Sequence, residues 1–231
     1  MLIYRLHHEE SGIVAGRSRC PQCEHKLAWW NLIPIFSWLI QRGKCHYCQK
    51  SIPVIYPFIE LAFAILFFIF AHKFYSIEFW WMLPLVFFLL VLFFYDLWFM
   101  EVDDRIAVPA ILLMAGVSFW RDMPVADLWL GAVLGFSFYA VQYFVSKGRW
   151  VGAGDMRLGL LLGLIFGWAQ LILVFFMAYI IGTVVALFLV FTKGYGPKSA
   201  LPMGAFLIPA ALLFLYSGEV IWVWYLNYLG F

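Results

Sequence analysis

Residues 79–98 read FWWMLPLVFFLLVLFFYDLW, twenty positions with a single charge, Asp96. A run of this length and character is what a helix needs to cross the roughly 30 Å hydrocarbon core of a bilayer, and it decides the class of the molecule. Working outward, further apolar stretches occur at 57–73, 105–120, 127–146, 155–167, 168–192 and 201–217. The 155–167 stretch is short and interrupted by Gly159, Gly163 and Gly167, which suits close packing against a neighbour through small residues. Residues 219–231 form an aromatic tail that either continues the last span or lies at the interface. The chain is 65% hydrophobic and 12% charged, whereas a soluble domain is about half apolar and a quarter charged. The expected fold is therefore an all-α polytopic membrane protein of about seven spans.

The polar N-terminal part divides further. Residues 1–16 open with MLIYRL, too short to span anything, and continue as a linker. Residues 17–56 carry all four Cys, and residues 57–231 form the transmembrane domain. With residues 7–56 in the cytoplasm, alternation puts the loops near 99–104, 147–154 and 193–200 on the same side. Thirteen Lys and Arg then fall on the cytoplasmic side and two, Lys73 and Arg121, on the other. Cytoplasmic excess of Lys and Arg is the usual orientation signal. Trp and Tyr favour the membrane boundary, so Trp29–Trp30, Trp80–Trp81 and Trp222–Trp224 suit segment ends.

The same threading brings Asp96, at the end of one span, and Asp155, at the start of another, to the same face. Ionisable residues in spanning segments are costly and are candidates for function. Either Asp alone could simply mark a helix end, with Asp155 as an N-terminal cap. Two at one depth and face favour a shared site. Gly152 and Gly154 leave room beside Asp155 for another backbone, as an extended substrate would require. Two carboxylates in a poorly solvated site do not both ionise readily, so one serves as general acid and the other as base on a water. A cation- or proton-coupled transporter using the Asp pair is the alternative. The chain has no HExxH and no GxSxG motif.

Cys20-Pro-Gln-Cys23 and Cys45-His-Tyr-Cys48 are two CxxC knuckles, which together supply the four thiolates of a closed, structural zinc site. Two disulfides are the alternative, but they are rare in the reducing compartment that the threading assigns. The expectation is a small cytoplasmic zinc-binding insert, with His25 and His46 beside it in solvent.

Three stretches carry a resemblance: YDLWFMEVDDRIAVP (95–109) followed by GAGDMRLG (152–159), the insert CPQCEHKLAWWNLIPIFSWLIQRGKCHYCQKSIPVIYPFIELAFA (20–64), and SALPMGAFLIPAALL (199–213). In this order, over essentially the whole chain, they resemble the bacterial type IV prepilin peptidases, membrane aspartyl proteases with a GxGD motif. The resemblance implies that Asp96 and Asp155 are catalytic. It implies cleavage of the leader of type IV prepilins or type II secretion pseudopilins at the cytoplasmic face of the bacterial inner membrane. It also implies N-methylation of the new N-terminus with S-adenosylmethionine, for which no binding residues are assigned. The partners would be these substrates and the bilayer, with no nucleic acid. Asp103 and Asp104 fit a loop acidic position of the family, as substrate aids or helix caps. Arg157 stands where the family usually has Lys. Met203 and Ala205 depart from the late motif, so no role is assigned there. MLIYRL matches only the last turn of the family's first spanning helix, which is expected to be missing from this chain. Glu60 is expected to be an interfacial cap.

Overall fold

The computed structural model describes residues 17–74, 77–193, 196 and 201–229; the 1–16 stub and linker lie outside the described residues. Two compact units divide near residue 72.

In the first unit the two CxxC knuckles fold alike. Cys20 N–H donates to the His25 carbonyl and Glu24 N–H to the Cys20 carbonyl; Cys45 and Gln49 repeat the pattern with Lys50 and Cys45 as acceptors. Each knuckle closes with a left-handed residue, Glu24 at φ 54° and Gln49 at φ 59°. Each is also flanked by an antiparallel bridge, Arg19 with Lys26 and Lys44 with Ser51. A 3-10 turn, Trp29–Leu32, and a short helix α1, Phe36–Ile40, connect the knuckles. The unit continues into α2, Ile55–Lys73, the first long apolar helix.

Ile35, which precedes α1, sits at φ 64° and ψ −53°. The Phe36 N–H reaches back to the Pro34 carbonyl at 2.6 Å, so Ile35 is the centre of a strained γ-turn. For a β-branched residue that backbone costs about 1–3 kcal/mol. Its N–H donates to Glu60 Oε2 on α2 at 2.7 Å. Glu60 thus ties the turn before α1 to α2.

The second unit contains α3 (Phe79–Phe99), α4 (Asp104–Val117), α5 (Val125–Ser146), α6 (Ala153–Lys193) and α7 (Gly204–Leu229). The seven expected segments thus all fold as helices. Four of these helices, α2, α3, α5 and α6, are long and apolar enough to cross a membrane, and α7 makes a fifth if its two bent pieces count as one span. At 1.5 Å per residue, the fourteen residues of α4 reach only about 21 Å, short of the hydrocarbon core.

α6 is one run in name only. Gly167 inside it has φ 69° and ψ 174°, which no helix accommodates. The neighbours of α5 show that the chain reverses there. Along α5, Gly131 and Gly135 meet Gly163 and then Gly159, in descending order. Beyond the break the order ascends: Gly135 meets Leu171, Phe138 and Tyr139 meet Phe175, and Gln142 meets Tyr179. The limbs 153–166 and 168–193 therefore flank α5 in opposite directions, and the break falls where the expected segments 155–167 and 168–192 meet. Glycines let α5 and the first limb touch backbone to backbone: a Cβ on Gly131 would lie 2.7 Å from the Gly163 carbonyl oxygen. The turn frees carbonyls at the end of the first limb. Arg121 covers them, donating to Leu164 at 3.2 Å and Ile165 at 2.5 Å while its guanidinium lies over Trp81.

Candidate active site

Asp96 sits one turn from the C-terminus of α3, and Asp155 is in the first turn of α6. Both are buried, with 4% and 7% exposure. Each has one oxygen fixed by a backbone N–H at a helix start. Gly152 N–H, just before α6, donates to Asp155 Oδ2 at 2.8 Å, so Asp155 does cap its own helix with that oxygen. Ala205 N–H, in the first turn of α7, donates to Asp96 Oδ2 at 3.0 Å. The partial positive charge of a helix N-terminus favours a carboxylate at each place.

The start of α7 also links the two sides. A Cβ added to Gly204 would fall 2.7 Å from Asp96 Oδ2 and 3.0 Å from Cδ1 of Leu158, which lies just under one turn past Asp155. Asp96 and the first limb of α6, which carries Asp155, thus meet at the bare backbone of Gly204.

The loop from α3 to α4 braces this place. A Cβ on Gly154 would lie 2.5 Å from Cβ of Val102 and 3.2 Å from its backbone nitrogen. Another backbone does approach at Gly154, then, and it is the protein's own loop. Asp103 N-caps α4, accepting the Arg105 N–H at 2.8 Å and pairing with the Arg105 guanidinium at 2.7 Å. Burial works against its charged form, but the Arg105 contacts outweigh that and hold its carboxyl below the usual range. Asp104 pairs with Arg157 across to α6 at 2.8 Å and is half exposed. Asp103 is therefore the helix cap and Asp104 an inter-helix tie.

The four cysteines are free thiols, and their sulfurs all lie within 4.8 Å of one another. Cys20 Sγ and Cys48 Sγ are 3.9 Å apart. Zinc–sulfur bonds of 2.3 Å in a tetrahedron put sulfurs about 3.8 Å apart, so the set fits a metal ion of that kind. The ionisation of the set is in conflict. Burial opposes it at Cys20, but the N–H groups of Gln22 and Cys23 bring that thiol down to about 7. At Cys23 the N–H of His25 favours the thiolate, but desolvation and the neighbouring Cys20 and Cys48 outweigh it and raise the thiol to about 11. A cation among the sulfurs would resolve this. His25 and His46 pack against Tyr47 and are not among the clustered ligands.

Comparison with known proteins agrees with this architecture. Residues 1–74 match the bacterial Peptidase A24 N-terminal domain, and residues 83–187 match the type IV leader peptidase family. A prepilin leader peptidase/N-methyltransferase of Pseudomonas putida is 31% identical over 97% of this chain and 80% of its own length. The chain belongs to the type IV leader peptidase family. A second relative of the same name, from Bacillus subtilis, is 32% identical over 90% of this chain and 85% of its own length. A third, from Myxococcus xanthus, is 36% identical over 82% and 59% respectively. No solved structure matches significantly.

Gly204 and Ala205 border the Asp96 carboxylate, although sequence reasoning assigned no role to the late segment. Their contribution is a backbone N–H and the lack of a side chain. The only trace of them in the sequence is Pro202 and Gly204 at the head of an apolar run. Val102 was also missed, since a lone aliphatic residue in a loop carries no chemical signal.

Proposed function

We propose that this chain removes the basic leader from type IV prepilins or type II secretion pseudopilins at the cytoplasmic face of the bacterial inner membrane, with Asp96 and Asp155 as the catalytic pair. The observation that carries this reading is the pair itself: two buried carboxylates on separate helices, each with Oδ2 held by a backbone N–H at a helix start. Held in that way, the carboxylates are preorganised and need no rearrangement during reaction. One carboxylate takes a proton from a water as its oxygen bonds to the scissile carbonyl carbon. The other, protonated, gives its proton to the carbonyl oxygen. The tetrahedral species then collapses: the carbon–nitrogen bond breaks, the leaving nitrogen takes the proton that the first carboxylate drew from water, and the second carboxylate takes back a hydroxyl proton, leaving the new N-terminal amine and restoring the pair. The proton belongs to the pair and not to either residue.

The names of the relatives support a second step, methylation of that amine. S-adenosylmethionine, when bound, supplies a methyl carbon on a sulfonium; no side chains of this chain are assigned to hold it. Cys20, Cys23, Cys45 and Cys48 would hold zinc as a closed structural site. Nothing in the fold or the comparisons favours transport by the Asp pair. The test is incubation of the purified protein with a prepilin-like peptide in detergent, with and without S-adenosylmethionine, with products read by mass. Cleavage after the leader is expected in both, and a gain of one methyl group only with the donor. An intact peptide would reject the peptidase.

A further inference from the structure

The first unit carries an exposed apolar surface that its cysteine cluster does not use. In WWNLIPIFSWLI, residues 29–40, the side chains of Trp29, Trp30, Phe36, Leu39 and Ile40 are all more than half exposed, Ile40 reaching 80%. The opposite face is anchored. Trp38 donates its Nε1–H to the Ile52 carbonyl at 3.1 Å, and its ring lies against Gly43. The segment is therefore two-sided, with a fixed inner face and an exposed apolar one. Exposed apolar patches of this kind mark an interaction surface.

Its position says with what. The Ile35 N–H is bonded to Glu60, the sixth residue of α2, whose start is Ile55. Five residues along a helix is about 7.5 Å. The segment is thus tied beside the opening turns of a membrane-spanning helix. With α2 entering the bilayer at its first turn, that distance falls within the 5–10 Å at which in-plane amphipathic segments bury their apolar face, at the boundary between headgroups and acyl chains. The Trp pair suits that boundary. Lys26 precedes the segment, and Arg42 and Lys44 follow it at once, so basic side chains flank the apolar ones. That order favours anionic lipid headgroups.

We propose that residues 29–40 insert in-plane into the leaflet at which α2 begins, with the bilayer itself as their partner. This inference does not depend on the catalytic assignment. It keeps the cysteine cluster at the membrane surface, held by the segment on one side and by α2 on the other.

The test uses the full-length protein in nanodiscs of phosphatidylcholine and phosphatidylglycerol. Phe36 or Ile40 is replaced by an encoded fluorescent amino acid, and Gln22, exposed on the first knuckle, is replaced in the same way as a control. Acyl chains brominated near the headgroup should quench the reporters at 36 and 40 by about half or more, deep-brominated chains should quench them less, and position 22 should be unaffected. The proposal is overturned if neither reporter is quenched, if deep bromines quench more strongly, or if position 22 is quenched equally. A reporter shielded from water yet unquenched would mean that protein covers the surface, and would also overturn it. Two reporter positions guard against one variant failing to fold.

Discussion

Ala205 donates its backbone N–H to Asp96 Oδ2 at 3.0 Å, across 109 residues of sequence. This bond ties the end of α3 to the start of α7 and orients one of the two buried carboxylates. Gly204, next to the donor, allows the approach.

Replacing Gly204 should therefore be costly in activity and cheap in fold. In Gly204→Ala the methyl group would meet Asp96 Oδ2 and Leu158, and the carboxylate must move. A displacement near 1 Å at a catalytic group costs on the order of 100-fold. Peptide cleavage should fall by that order while detergent-solubilised protein keeps its helical circular dichroism. Wild-type turnover in this variant would show that the Ala205 bond does not set the carboxylate.

Asp96→Asn and Asp155→Asn should each abolish cleavage, and the double variant should be no worse than either single one, because the pair acts as a unit. Asp104→Asn, which loses only the surface tie to Arg157, should keep most of its activity. If Asp104→Asn were dead and Asp96→Asn active, the first catalytic residue would be misassigned.

The two glycines of GAGD should behave differently. A Cβ on Gly152 meets Asp155 Oδ2 at 3.6 Å, an ordinary contact, whereas one on Gly154 collides with Val102. Gly152→Ala should keep cleavage within about tenfold. Gly154→Ala should lose it, and Val102→Gly should restore part of the loss by removing the Cβ and Cγ2 in the way. Failure of that second-site rescue, measured by the same peptide assay, would mean that Gly154 serves something other than its own loop.

Metal analysis should find one zinc per chain. Chelation, or Cys→Ser at any of the four positions, should raise the protease sensitivity of residues 17–56 and leave the helices around Asp96 and Asp155 intact. Four thiols that titrate freely in a metal-free, protease-resistant segment would remove the zinc assignment.

Single-cysteine probes at Leu97 and Ala153, both exposed beside the carboxylates, should react with a membrane-impermeant thiol reagent in inside-out vesicles and stay protected in intact cells. The native cysteines must be absent from this background. Labelling from the outer face at either position would reverse the topology.

What the sequence made legible was whatever depends on residue type. Apolar runs marked seven helices, and the seam between two of them fell at Gly167. The charged and thiol groups marked Asp96, Asp155 and the two knuckles. What stayed hidden depends on backbone and on shape. The N–H of Ala205 is common to nineteen of the twenty amino acids, so no residue letter announces it. The γ-turn at Ile35 contradicts the preference of an isoleucine, and its bond to Glu60 helps to hold it. The fit of Gly154 against Val102 is visible only once the α3–α4 loop has a place.

The contact between α5 and the first limb of α6 bears on how this chain can change over time. At Gly131, Gly135, Gly159 and Gly163 the next occupied space is another main chain. Every missense change in a glycine codon adds at least one carbon, so at these four positions no amino-acid replacement is neutral, and mutating a facing partner opens no room because what blocks it is backbone. By contrast, side chains such as Val133 and Val141 on α5 and Phe176 on the second limb of α6 are more than half exposed, so packing constrains their size far less. Drift should concentrate on that outer shell and leave a narrow invariant column, whose position could be recovered from aligned sequences without any structure.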